Sequence, residues 1–240
     1  MSSKYGSVMK KQFRLNLWFS VFVLLTMISC GGDDENNNNG PSPVPEQDSS
    51  SIVINADGTT STGSKFVAID ANTFYIDYIK YSVNQGHLEV TGFDKIGFAG
   101  KAKFYSIVTY NGTAYEVLAI GKDAFDHCDS LKSVVIPNGI KLIAESAFED
   151  CHSLTSVSIS ASVETIGTRA LHGCRLLRDV HCKRQVPPTV LGSSTNGASI
   201  EYLTNSEVYL DATLYVPQAT LSAYKAKDGW KEFGNIIEEE

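Results

Sequence analysis

The chain has 240 residues, 42% of them hydrophobic, with a formal net charge of −7 and five cysteines. That acidic balance disfavours nucleic acid and anionic lipid headgroups as partners. The length allows one domain of ordinary size with a real core.

Within residues 1–29, Lys4, Lys10, Lys11 and Arg14 precede an apolar run, 15–28, broken only by Asn16, Ser20 and Thr26. A charged start followed by an apolar run is the order of a secretory signal peptide. The run is shorter than the about 20 apolar residues that a membrane-spanning helix needs. It ends at Met27-Ile28-Ser29-Cys30, which resembles the lipobox of bacterial lipoproteins, with Met27 where a branched aliphatic residue is usual. The resemblance implies cleavage before Cys30 and acylation of Cys30, supplying the several chains that stable anchoring requires. An ordinary secretory signal with a chance cysteine is the alternative. Loss of the four leading cations would leave the rest of the chain more acidic than the whole.

Asp33, Asp34 and Glu35 resemble the signal that sends lipoproteins to the outer face of the outer membrane in some Gram-negative anaerobes; they also suit the start of a solvated tether. The expected location is therefore lipid-anchored in the outer membrane, at the cell surface of a Gram-negative bacterium. Residues 30–51, rich in Asn, Ser and Pro, carry too little apolar surface to offset the entropy of ordering and read as a disordered linker.

Residues 52–119 contain alternating runs at Ile79–Val83, His87–Thr91 and Phe104–Val108, punctuated by Asn84-Gln85-Gly86 and Asn111-Gly112. They predict a β-rich N-terminal cap, although 52–74 could stand apart. Asn111-Gly112-Thr113 has the form of a glycosylation acceptor, but Asn-Gly is also a tight hairpin turn, and the turn is the expectation.

From Ile120 to residue 188 a 23-residue unit recurs, starting at Ile120, Ile143 and Ile166. Its columns align Ala124, Ala147 and Ala170; Phe125, Phe148 and Leu171; Cys128, Cys151 and Cys174; Leu131, Leu154 and Leu177; Val134, Val157 and Val180; and Ile136, Ile159 and Cys182. A fixed period of this length with a Leu-x-x-Val-x-Ile core predicts a stacked solenoid. Each copy is expected to give one short strand, over 131–136 and its equivalents, with neighbours parallel. The Ala-Phe-x-x-Cys segment suits a short helical turn on the opposite side, with Phe125, Phe148 and Leu171 filling the space between.

The consensus Ile-Gly-x-x-Ala-Phe-x-x-Cys-x-x-Leu-x-x-Val-x-Ile-Pro resembles the BspA-like leucine-rich repeat of bacterial surface proteins. Departures are Ala144 for glycine, Ser160 for proline, Leu171 for phenylalanine and Cys182 for isoleucine. The resemblance implies a short, right-handed α/β leucine-rich repeat solenoid with a parallel concave sheet and capped ends. In 189–240, Leu214-Tyr215-Val216-Pro217 repeats the strand pattern 34 residues beyond Val180, 11 more than one period. A degenerate fourth repeat with an insertion, then a helical C-terminal cap from Gln218 to Lys227 covered by Trp230 and Phe233, accounts for this spacing.

Histidines lie near four cysteines: His127 and Cys128, Cys151 and His152, His172 and Cys174, His181 and Cys182. Zinc sites use short, convergent ligand pairs, whereas these histidines fall at four different repeat positions. Buried structural thiols are the expectation, with a disulfide between column neighbours the lesser alternative. No metal, cofactor or catalytic residue is expected, since no nucleophile elbow or phosphate-cradling glycine loop is present.

Outward strand positions define a candidate ligand face: Ser133, Ser156 and Asp179 in one row, Val135, Ser158 and His181 in the next, Pro137, Ser160 and Lys183 in a third. Solenoids bind on such faces, though serines are also simply tolerated on an exposed sheet. Family resemblance implies a non-catalytic, surface-displayed module for adhesion or for binding host protein or glycan. The alternative is an accessory glycan-handling lipoprotein of an outer-membrane uptake complex, with Tyr202 and Tyr209 as sugar platforms.

Overall fold

The computed structural model describes residues 51–192, 203–204 and 206–240. The signal peptide, Cys30, the linker up to residue 50, Tyr202 and most of the Ser/Asn-rich insertion lie outside the described residues. Among the described residues, no helix is long and apolar enough to cross a membrane.

The described chain opens with β1 (Ser51–Val53), β2 (Phe66–Ala68), β3 (Thr73–Ile76), β4 (Ile79–Asn84) and β5 (His87–Phe93). The strands β2 to β5 form an antiparallel meander. Then come β6 (Lys101–Ala102), β7 (Ile107–Tyr110) and β8 (Thr113–Ile120). The β4/β5 turn has Gln85 at φ 49° and Gly86 at φ 85°, and the β7/β8 turn has Asn111 at φ 51° and Gly112 at φ 74°. Two successive positive values are what a two-residue type I′ hairpin requires, so Asn111-Gly112 is the turn its sequence predicts. β1 pairs in parallel with β7 and Ile52 sits in the same core as Phe233, so residues 52–74 do not stand apart.

The repeats contribute β9 (Ser133–Ile136), β10 (Leu142–Ile143), β11 (Ser156–Ile159), β12 (Thr165–Ile166), β13 (Asp179–Cys182) and β14 (Thr189–Val190). After them follow α1 (Ser206–Asp211), β15 (Thr213–Pro217), α2 (Leu221–Ala226) and β16 (Asn235–Glu239). Each coil thus supplies two strands rather than the single one expected. The longer runs build a parallel sheet in the order β6-β9-β11-β13-β15-β16. The two-residue strands build a second parallel ladder, β8-β10-β12-β14, which continues through β5 into the meander. Between the sheets Leu131, Leu154 and Leu177, Val134, Val157 and Val180, and Ile136, Ile159 and Cys182 are all buried. Burial of each large aliphatic side chain contributes about 1.5–3 kcal/mol, so repetition of these columns is the main favourable term holding coil on coil. Phe93, Phe125 and Phe148 stack at 5.5 and 5.3 Å through the same space.

The expected helical turn is absent from the repeats, and the α/β description fails there: α1 and α2 both follow the array. Two residues of each coil have left-handed backbone, Asp123 and His127, Ser146 and Asp150, Arg169 and Gly173, with φ between 53° and 73°. Such residues interrupt helical hydrogen bonding and turn successive amides toward the neighbouring coil. Phe125 N donates to Ala147 O at 2.8 Å, His127 N to Glu149 O at 2.9 Å, Phe148 N to Ala170 O at 2.9 Å and Asp150 N to His172 O at 2.7 Å. The non-glycine left-handed positions cost about 1–2 kcal/mol each, which these bonds and the buried columns offset.

The C-terminal end also differs from expectation. The register Val180↔Leu214 confirms the shifted fourth strand, and Trp230 and Phe233 are buried. The helix is only Leu221–Ala226, however, and the longer sheet ends on the strand β16 rather than on a helix.

Candidate functional site

The outward positions of the longer sheet fall in rows across five strands. One row reads Ser133, Ser156, Asp179, Thr213 and Asn235; the next reads Val135, Ser158, His181, Tyr215 and Ile237. The structure therefore brings the six sequence-predicted residues together on one face and adds two strands to it. Ser133 is exposed, and Val135, Ser156, Asp179 and His181 are half-buried. Ser158 is only 4% exposed, because its short side chain lies between the taller Val135 and His181. It floors a depression of about 170 Å³ shared with Pro137, Asn138, Ser160 and Lys183. The third row is less available than expected: Ser160 Oγ donates to Pro137 O at 2.9 Å and both residues are buried, leaving Lys183 exposed.

Tyr215, Ile237 and Glu239 were missed by sequence reasoning. The Tyr215 ring stacks on His181, centroids 4.4 Å apart and planes 9° from parallel. His181 Nδ1 lies 2.8 Å from Glu239 Oε2, and the Tyr215 hydroxyl donates to Asp179 Oδ1 at 3.3 Å. Burial, and then the Asp179 carboxylate, push the Tyr215 phenol above its ordinary pKa, so it remains a donor. Beside this cluster Lys183, Gln185, Pro217, Gln218 and Glu239 line an open cleft of about 510 Å³. His181 is paired with a carboxylate, not with a hydroxyl or thiol that it could activate. The face offers a stacked aromatic centre, a ring of hydrogen-bonding groups and charges of both signs, which is chemistry for docking.

Tyr209 is 6% exposed: its hydroxyl accepts from Leu203 N at 3.1 Å and donates to Gly229 O at 3.2 Å. Its apolar ring and polar tip are both used inside the core, so it is no sugar platform. Cys128, Cys151, Cys174 and Cys182 are buried and free. Cys151 Sγ donates to Phe125 O and Cys174 Sγ to Phe148 O, both at 3.1 Å. Burial pushes the Cys128 and Cys182 thiols up to about 11, far from a reactive thiolate.

A family model for the BspA type leucine rich repeat region matches residues 93–205 in six copies. Among solved structures, a leucine-rich repeat protein from Bacteroides ovatus is 22% identical, with 69% of this chain and 41% of that one covered and a TM-score of 0.41. One from Bacteroides capillosus is 20% identical, covering 70% and 99%, with a TM-score of 0.46. A leucine rich cell surface protein from Faecalibacterium prausnitzii is 19% identical, covering 72% and 44%, with a TM-score of 0.45. This chain thus spans less than half the length of the first and third. No curated protein matches. Leucine-rich repeat regions are in general non-catalytic modules for interaction, and those of the BspA type are often associated with bacterial surfaces. The register of the stacked coils and the family match agree: residues 93–205 of this chain are a BspA-type leucine-rich repeat region.

Proposed function

We propose that the chain is a binding module displayed outside the cell on a lipid anchor at Cys30, engaging a host protein or a glycan through the outward face of the longer sheet. The carrying observation is the row Val135, Ser158, His181, Tyr215 and Ile237, which places a stacked His181–Tyr215 pair between a polar depression and a cleft flanked by Lys183 and Glu239. A parallel array with an aromatic centre and a polar rim has the anatomy of a docking surface. The test is surface plasmon resonance of the full chain against arrays of extracellular-matrix proteins and glycans. Tyr215→Ala is expected to weaken the captured ligand about tenfold or more, the effect of about 1.4 kcal/mol or more that a central aromatic supplies. Full affinity in both Tyr215→Ala and Ser158→Asp would move the site off this sheet. For the anchor, Cys30→Ser should shift the protein from the detergent phase to the aqueous phase; retention in detergent would remove the lipid from the reading.

A further inference from the structure

On the turn side of the array, histidines at different repeat positions meet acids of the neighbouring coil. His127 and Asp150 share one column and Asp129 and His152 another, each pair 23 residues apart. The His127 and Asp150 backbones are both left-handed, at φ 55° and 53°, and both are fixed by amide bonds to the following coil. Their side chains therefore leave a rigid backbone in the same direction and meet. Asp150 extends into the space left by Gly173, where a Cβ would stand 1.9 Å from Asp150 Oδ1.

The imidazoles are oriented alike. His127 Nδ1 is 2.7 Å from Asp126 Oδ1, and His152 Nδ1 is 2.7 Å from Asp129 Oδ1. With Nδ1–H donated to a carboxylate, the remaining Nε2 carries a lone pair, which is how metal-ligating histidines are held by their second partners. Both Nε2 atoms face the same carboxylate: His127 Nε2 lies 3.6 Å from Asp150 Oδ2, and His152 Nε2 lies 3.8 Å from Asp150 Oδ1. These separations are too long for hydrogen bonds. They are close to the about 3.4 Å between two donors bound at tetrahedral angles to one zinc ion. Donor atoms of Asp126, His127 and Asp150 all lie within 4.8 Å of one another.

We propose that Asp126, His127 and Asp150, with His152 on the far side of the Asp150 carboxylate, bind one divalent transition-metal ion of the zinc class that clamps the first coil to the second. Imidazole and carboxylate donors suit such an ion, and the cluster is open to solvent for its entry. The four buried cysteines take no part. This site is separate from the docking face and does not depend on it.

The experiment is calorimetric titration of the purified full chain with zinc chloride, followed by spectroscopy with cobalt(II) as the probe. Saturable one-to-one zinc binding is expected, weakened at least tenfold by His127→Asn and by Asp150→Asn; asparagine is chosen because it tolerates a left-handed backbone. His87→Asn is the control and should bind as the parent does. Absence of saturable binding, unchanged affinity in either variant, or an equal loss in the control overturns the proposal. The cobalt spectrum of the unaltered chain needs no variant to fold: d–d bands without thiolate charge transfer are expected, and thiolate charge transfer would overturn it.

Discussion

The junction between the first two coils and the C-terminal end of the array solve the same packing problem differently. Between the first and second coils, like residues stack on like: Phe125 on Phe148, Val134 beside Val157, Ile136 beside Ile159. Backbone bonds complete the contact, and few side chains need a polar partner. After the third coil the columns lapse to Leu171 and Cys182, and unique side chains take over. The Tyr224 hydroxyl donates to Arg184 O at 2.7 Å and lies 3.2 Å from Cys182 Sγ, while Trp230 Nε1 donates to Pro188 O at 2.8 Å. Repetition lets an anonymous backbone hold the coils together; where it stops, individual aromatic residues with polar tips must do so.

The comparison can be broken most forcefully at Phe148. Phe148→Ala should cost about 3–5 kcal/mol in urea unfolding, whereas Phe148→Leu, which copies the residue of the third coil, should cost under about 1.5 kcal/mol. Equal losses would mean that the aromatic stack, not the filled column, stabilises this junction. At the other end, Trp230→Phe leaves the Pro188 carbonyl unpaired and should cost about 1–3 kcal/mol by the same measurement. The smallest effect is expected at Ser160, the serine in the proline column: Ser160→Ala removes its bond to Pro137 O for about 1 kcal/mol. Should Trp230→Phe prove as mild as a surface change, the degenerate end would be held by its core alone.

Legibility in the sequence followed the same division. The columns beginning at Ile120, Ile143 and Ile166 gave β9, β11 and β13 and the rows of the outward face, because a residue in a stacked coil sits beside its own repeat equivalent. The ladder β10-β12-β14 was hidden, since two-residue strands show no alternation. The turn side was misread as helical because Ala124, Phe125 and Cys128 have a helix-like spacing; the left-handed residues that prevent a helix are Asp, His, Ser and Arg, not the glycine or asparagine that announce such a backbone. Tyr215 was visible within a strand pattern but stood 34 residues after Val180 rather than 23, and Ile237 and Glu239 belong to a strand with no repeat equivalent. The turn-side acids escaped notice because the histidines were compared with one another and not with the residues above and below them in their own columns.

The backbone bonds of the turn side join residues at a nearly constant offset and are blind to side-chain identity: Phe125 meets Ala147, Phe148 meets Ala170, and Leu171 meets Leu203 across the insertion. In genetic terms a 23-residue coil is therefore a cassette. An in-frame duplication or excision of one coil leaves every donor facing an acceptor, so copy number can drift by recombination while the fold persists, and the array can lengthen its face without a new architecture.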